Sequence, residues 1–90
     1  MVADLGPLYE ACRAMKLVTI NYTDKKGVVS VRTGGIYEIR STEGKLWFWD
    51  TTENVHIYAY FLNSINSFEV RNTDFVPSEW PVIIDGETIG

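Results

Sequence analysis

The stretch VVSVRTGGIYEIRS, residues 28–41, shows a strand pattern that is interrupted in its middle. β-Branched and aromatic residues alternate with polar ones on both sides of the pair Gly34-Gly35, which is typical of a half-buried strand. Glycines inside such a pattern mark a bulge or a sharp bend. We therefore predict one long strand over 28–41 that bends at the glycine pair.

Further extended segments lie on both sides of this bent strand. In order they are LVTINYTD (17–24), KLWFWD (45–50), VHIYAYFL (55–62) and SFEVRN (67–72). Short turns rich in Gly, Asn, Asp and Ser separate them. Five short strands in a meander close most readily into a small barrel, because closure removes exposed sheet edges.

A helix is predicted ahead of the strands, over residues 5–16. Gly6-Pro7 suits the first helical turn, where the missing N–H of proline is not needed. The apolar residues recur at spacings of three and four, which places them on one helix face: Leu5, Leu8, Cys12 and Met15. On that stripe we interpret Cys12 as a buried structural thiol, with a reactive thiol as the alternative.

The segment after the last clear strand is predicted to lie along the barrel, with a short extra strand near 82–84. Within it Trp80 stands close to Pro77 and Pro81. This tryptophan either staples the tail to the barrel or presents an anchor to a partner. The whole chain is thus predicted to be one domain, with a helix at about 5–16, a barrel at about 17–72 and an extension at about 73–90.

Composition narrows the class of protein. The chain has 90 residues, of which 46% are hydrophobic, and Cys12 is its single cysteine, so no internal disulfide can form. No apolar run approaches the roughly 20 residues that cross a bilayer, and the first residues lack the features of a signal peptide. We therefore expect a cytoplasmic globular protein with no membrane association.

Charge is distributed unevenly along the chain. Residues 1–47 carry seven basic and five acidic side chains, whereas residues 48–90 carry one basic and seven acidic side chains. Binding to a phosphate backbone needs clustered Lys and Arg, which the second half does not supply. A nucleic-acid role would have to rest on a local patch from the first half.

At this point the pattern resembles the WYL domain, a family with a helical lead-in and a Sm-like or SH3-like barrel. The resemblance covers roughly residues 8–76. The family's lead helix and the following strand that ends in tyrosine look like YEACRAMKLVTINYTD. Its next strand, which carries an arginine before a bend, looks like VSVRTGGIYEI, and its name-giving run aligns with LWFW. These matches place the family positions at Tyr22, at Arg32 and at Trp47-Phe48-Trp49. The segment YAYFLNSI stands where the family has Arg-x-Phe-x-Leu-Asp-Arg-Ile.

The resemblance implies a small five-stranded barrel with one N-terminal helix, in a regulatory protein of a bacterium or its phage. Two family arginines are replaced by Tyr58 and Ser64, and the proline usually found after the bend is absent. Those arginines belong to the surface that is thought to sense anions or nucleic acids. The departures weaken a ligand-sensing role.

Candidate ligand-binding residues are arginines and strand tyrosines. Arginine can grip a phosphate or carboxylate with its planar fork, and strand tyrosines can stack bases. The alternative is an arginine paired with an acid and tyrosines that only stabilise strands. The set is Arg32, Tyr22, Tyr58, Tyr60 and Arg40.

Candidate partner-binding residues come from the aromatic run and from the tail. In a strand, Leu46, Phe48 and Asp50 would face one side and the two tryptophans the other. Both sides cannot be core in so small a barrel, so the helix, the tail or a partner must cover one of them. The candidates are Trp47, Trp49 and Trp80.

No catalytic motif is recognisable, and His56 is the single histidine. It has no further ligands at metal spacing, so we interpret it as structural and expect neither metal nor cofactor. The leading hypothesis is a non-enzymatic regulatory or interaction module that binds a protein partner, or itself, through an aromatic sheet surface. The alternative is binding of single-stranded nucleic acid or a nucleotide-like ligand through Arg32, Arg40 and the strand tyrosines.

Overall fold

The structure is a computed structural model that describes residues 4–51, 56–77 and 80–89. It is mainly β, as predicted, with one short helix. The elements are α1 (Gly6–Arg13), β1 (Lys16–Thr23), β2 (Val29–Arg40), β3 (Lys45–Asp50), β4 (His56–Phe61), a 3₁₀ helix (Leu62–Ser64), β5 (Ile65–Asp74), β6 (Ile83–Ile84) and β7 (Glu87–Thr88).

Strand β2 changes partner in its middle, at the glycine pair. Its first half pairs with β1 and its second half with β3, and Gly34 is aligned with both Val18 and Asp50. A Cβ atom at Gly34 would lie 1.9 Å from the carbonyl oxygen of Trp49, and one at Gly35 would lie 2.2 Å from the Phe75 ring. Only glycine permits this approach. The prediction of one long strand with a glycine bend is confirmed.

The five longer strands form an antiparallel sheet in the order β4-β3-β2-β1-β5. Strands β1 and β4 are separated by two others in that order, yet the rings of Tyr22 and Tyr60 lie 4.4 Å apart. The sheet must therefore curl strongly. Among the described residues, backbone pairing that would close it into the predicted barrel is not shown, and the 3₁₀ helix links β4 to β5.

The tail folds back onto the second half of β2. Strand β6 pairs in parallel with β2 and then forms a hairpin with β7. Asp85 and Gly86 in the hairpin turn both have positive φ, as a tight turn requires. The Asp85 carboxylate accepts hydrogen bonds from the backbone N–H and the hydroxyl of Ser41, at 2.7 and 2.9 Å. The extra strand predicted near 82–84 is thus present.

Helix α1 packs on the inner face of the sheet and is shorter than the predicted 5–16. It ends at Arg13 because the chain turns sharply at Met15, which has a φ of 56°. Leu8 and Cys12 are buried as expected, whereas Met15 is only partly buried and lies outside the helix. No described helix has the length and apolar character needed to cross a membrane.

The core between helix and sheet draws residues from every longer strand. Its fully buried large side chains are Leu8, Val18, Ile20, Ile36, Ile39, Leu46, Phe48, Ile65 and Val82. Val82 comes from the tail, so the extension completes this core. Burial also raises the pKa of the Cys12 thiol to about 12, against a small opposing effect of Arg13.

The close approach at the bend yields a first prediction. Gly34→Ala should destabilise the protein by about 3 kcal/mol, at the upper end for overpacking, because the new methyl group meets a backbone oxygen that cannot move alone. Urea denaturation would measure the loss. Val31→Ala, at an exposed position of the same strand, should change the free energy of unfolding by less than about 0.5 kcal/mol. A similarly small effect at Gly34 would mean that the two strands do not meet there.

A second prediction concerns the buried thiol. Because its pKa is raised from 9.0 to about 12, Cys12 should react with a disulfide reagent only as fast as the protein unfolds. Its contribution to the free energy of unfolding should be constant below pH 9 and decline as the pH rises towards 12, since only the unfolded thiol ionises there. Cys12→Ala should remove that part of the pH dependence. Rapid labelling of the folded protein would contradict the burial.

Candidate interaction surface

Strand β3 divides its aromatic residues between two sides of the sheet. Leu46, Phe48 and Asp50 are buried on the inner side, whereas Trp47 and Trp49 are half-buried on the outer side. The sequence pattern predicts this division. The inner side is covered by helix α1 and the core, so the two tryptophans belong to a separate surface.

Cross-strand pairs extend this surface from β3 to β4. Trp49 is aligned with Ile57, Trp47 with Ala59, and Lys45 with Phe61, so that each pair shares a side. Ile57, Ala59 and Phe61 are exposed. We call the outward-facing set Trp47, Trp49, Ile57, Phe61 and the tail residue Trp80 the outer aromatic face.

A β-bulge brings Tyr37 to the same side. Ile36 is aligned with Phe48 and Glu38 with Trp47, so Tyr37 is an extra residue between them. Such a residue changes which side the neighbouring side chains face. The Tyr37 ring lies edge-on to three others, with centroid distances of 5.2 Å to Phe75, 5.3 Å to Trp80 and 5.7 Å to Trp49. The bulge residue Tyr37 thus holds the Trp80 ring of the tail against the sheet.

Tyr37 is not among the functional candidates predicted from the sequence. One signal was available, because the adjacent apolar pair Ile36-Tyr37 breaks the alternation directly after the glycines. An extra residue in one strand shifts its alternation by one position, so two apolar neighbours are consistent with a bulge. The pattern itself does not tell which of the two residues faces outward.

A groove of about 300 Å³ opens between these rings and the tail. It is lined by Tyr37, Glu38, Trp47, Ile57, Trp80, Pro81 and Ile83. Trp80 packs against Tyr37 and lies 5.9 Å from Trp49, yet 50% of its surface is exposed. It therefore holds the tail in place and still offers half of its indole to solvent.

Arg32, the predicted ligand arginine, pairs with a buried acid. Its Nε lies 3.7 Å from Oδ2 of Asp50, a residue that is only 2% exposed. Register places Arg32 opposite Ile20 on the inner side of the sheet. The guanidinium thus compensates a carboxylate that would be costly to bury alone. Sequence reasoning placed Asp50 on the inner side but did not identify it as this partner.

The predicted tyrosines gather at the same inner site. Tyr22 packs against Tyr60, and Tyr58 stacks on Tyr60 at 6.1 Å. Burial, followed by a hydrogen bond with Tyr22, raises the pKa of Tyr60, and nearby Asp50 adds to the effect. Tyr58 remains 46% exposed. The structure therefore brings Arg32 and the three tyrosines to one side of the sheet.

Arg40 lies apart from that group, on the outer side beside Trp47. Its Nε donates a hydrogen bond to Glu38 at 2.8 Å, and its Nη1 donates one to Glu43 at 3.1 Å. Its guanidinium also lies 4.8 Å from the centre of the Trp47 ring. The two arginines of the predicted ligand set are thus on opposite sides, and each faces a carboxylate.

Catalytic and metal-binding groups are the remaining candidates. Within residues 4–51, 56–77 and 80–89 no cluster of three or more His, Cys, Asp and Glu side chains could hold a metal ion. The side chain of His56, interpreted above as structural, lies outside the part of the chain that the structure describes.

Comparisons of the chain with protein-family models, with curated proteins and with solved structures find no match. The resemblance to the WYL domain therefore stays a prediction from the quoted residues.

A third prediction tests the role of Arg32. Arg32→Leu should cost about 3–5 kcal/mol, because it leaves the buried Asp50 carboxylate without its cation. The double variant Arg32→Leu/Asp50→Leu should recover much of that loss. Arg71→Leu removes an exposed pair with Glu69 at 3.5 Å and should cost less than about 1 kcal/mol. Denaturant unfolding measures the stability of all three variants. If Arg32→Leu is as stable as the wild type, Arg32 is not needed to compensate Asp50 and a ligand-binding role would be favoured instead.

Proposed function

We propose that this protein is a non-enzymatic interaction module that binds a protein partner through the outer aromatic face. The observation that carries the proposal is the groove between Trp47 and Trp80, where half-exposed indoles stand beside the exposed Ile57. Tryptophan and tyrosine dominate binding hot spots because they bury a large area with little loss of side-chain entropy. An apolar surface of this kind on a small protein is typical of an interface.

The rigidity of the face supports the same function. The rings of Tyr37 and Trp49 both contact Trp80, and Tyr37 in turn packs against Phe75. Arg40 stacks on Trp47 and is itself fixed by two carboxylates. A preformed aromatic surface loses little freedom on binding, so more of the contact energy appears as affinity.

We further propose that the fold is a small SH3-like or Sm-like barrel of the WYL type, in a regulatory protein of the bacterial or phage cytoplasm. The helical lead-in, the bent second strand and the LWFW run support this proposal. The contact between Tyr22 and Tyr60 brings β1 close to the edge strand β4, and such curling of the sheet is what a barrel requires.

Binding of single-stranded nucleic acid through Arg32, Arg40 and the tyrosines is the alternative. Both arginines face carboxylates at 3.7 Å or less, which lowers their capacity to attract phosphate. Of the three tyrosines, Tyr58 is the exposed one, at 46%, and Tyr22 and Tyr60 are more deeply buried and offer less ring surface for stacking. These contacts favour the protein partner over the nucleic acid.

A fourth prediction tests the proposed surface. Trp47→Ser and Trp80→Ser should each weaken capture of a specific partner from host lysate by at least about tenfold, because each removes an aromatic anchor. The melting temperature should change by only a few degrees. Val31→Ser provides the control, since Val31 is 54% exposed on the first half of β2 and should leave capture unchanged.

The same capture should survive nuclease treatment and high salt. Loss of the partner on nuclease treatment, or an affinity that falls steeply with salt, would support the nucleic-acid alternative instead. Sedimentation of the purified protein separates self-association from a different partner. Equal capture by Val31→Ser and both tryptophan variants would contradict the proposal.

A further inference from the structure

Most of the cations of this protein are already paired with acids. Five of the eight basic residues have a carboxylate within 4.0 Å. These residues are Arg13, Lys16, Arg32, Arg40 and Arg71. Among the described residues, Lys25, Lys26 and Lys45 have no such carboxylate. Because acidic residues outnumber basic ones in this chain, which has a net charge of −4, unpaired cations are unexpected.

Two of the three lysines meet at one aromatic ring. The ammonium of Lys25 lies 5.8 Å from the centre of the Phe61 ring, and that of Lys45 lies 5.7 Å from it. Phe61 is 43% exposed. Lys45 and Phe61 are aligned across β3 and β4, while Lys25 reaches the ring from the turn after β1. Three segments of the chain thus build one cationic site at Phe61.

This site lies at one end of the outer aromatic face, and the groove lies at the other. Ile57 lines the groove and precedes Phe61 by four residues on β4. A strand rises about 3.3 Å per residue, so roughly 13 Å separate the two positions. An extended peptide beside β4 would cover the same distance with about four residues.

We infer that the outer aromatic face binds an extended acidic segment of a protein partner. An apolar side chain of that segment occupies the groove beside Trp47 and Trp80. About four residues away, one or two Asp or Glu carboxylates meet the ammonium groups of Lys25 and Lys45. The inference rests on the proposed function and specifies the chemistry of its partner.

Charge complementarity favours a carboxylate segment over a nucleic acid. The free cations stand only at the Phe61 end, whereas the groove end carries Glu38 as its charged lining residue. A single strand would need cations repeated along the surface to neutralise successive phosphates. A peptide with an apolar anchor at one end and acidic residues at the other matches this face, because the anchor fits the groove and the acidic residues meet the lysines at Phe61.

Selection from a random twelve-residue peptide display library tests the inference with the intact protein as bait. Enriched sequences should contain an aromatic or aliphatic anchor with Asp or Glu three to five residues away. The affinity of a selected peptide, measured by fluorescence anisotropy, should fall at least tenfold in Lys25→Glu/Lys45→Glu. It should also weaken between 50 and 500 mM salt, because exposed charges are screened.

Two controls separate this inference from the proposed function. Lys26→Glu reverses one charge in the same turn as Lys25, but Lys26 is not one of the two lysines over the Phe61 ring, so this variant should reduce affinity less than threefold. Trp47→Ser should abolish enrichment of the anchor. The inference of an acidic partner would be wrong if the enriched peptides have an anchor but no acid at that spacing. It would also be wrong if they bind equally well to Lys25→Glu/Lys45→Glu. Either result would still support binding by the outer aromatic face. Failure to enrich any sequence would overturn both.

Discussion

The close approach of β2 to β3 at Gly34 is the constraint on which the rest of this fold depends. The Trp49 carbonyl occupies the space that a side chain at Gly34 would need, and the Phe75 ring does the same at Gly35. Because neither glycine carries a side chain, β2 can leave β1 and pair with β3 within a single residue. One strand thereby belongs to both halves of the sheet, and the sheet curls around the helix.

The curl decides which aromatic residues are covered. Phe48 and Tyr60 face the interior with the helix residue Leu8, and the buried Asp50 there requires the charge of Arg32. Among residues 4–51, 56–77 and 80–89, the tail is what covers the outer side of β3 and β4. Trp80 remains half-exposed after packing. The proposed partner would bury the part of this face that the described residues leave exposed.

Several features could be predicted from the sequence because they depend on local patterns. The glycine bend, the two sides of KLWFWD and the buried stripe of Leu8 and Cys12 all follow from periodicity. The position of the helix end was predicted less accurately. The chain turns at Met15 with a positive φ, which is rare for methionine, and the sequence contains no glycine or asparagine there that would indicate it.

The rest depends on contacts between distant parts of the chain. Arg32 and Asp50 are 18 positions apart, and Lys25 and Phe61 are 36 apart. No periodicity links such residues, so the sequence could not tell which arginines would be neutralised and which lysines would stay free. The role of Tyr37 likewise depends on a bulge whose register is set by the partner strand. Only part of the candidate site could therefore be predicted from the sequence.

The bend at Gly34 leaves the inner aromatic side of β3 covered and its outer side open. Solvent paramagnetic relaxation, measured by NMR with a soluble gadolinium chelate, is the direct test of this division. Strong broadening is expected for the indole signals of Trp47, Trp49 and Trp80, with little effect on the Phe48 ring and the Leu46 methyl groups. Equal protection of the three indoles and of Phe48 would contradict it.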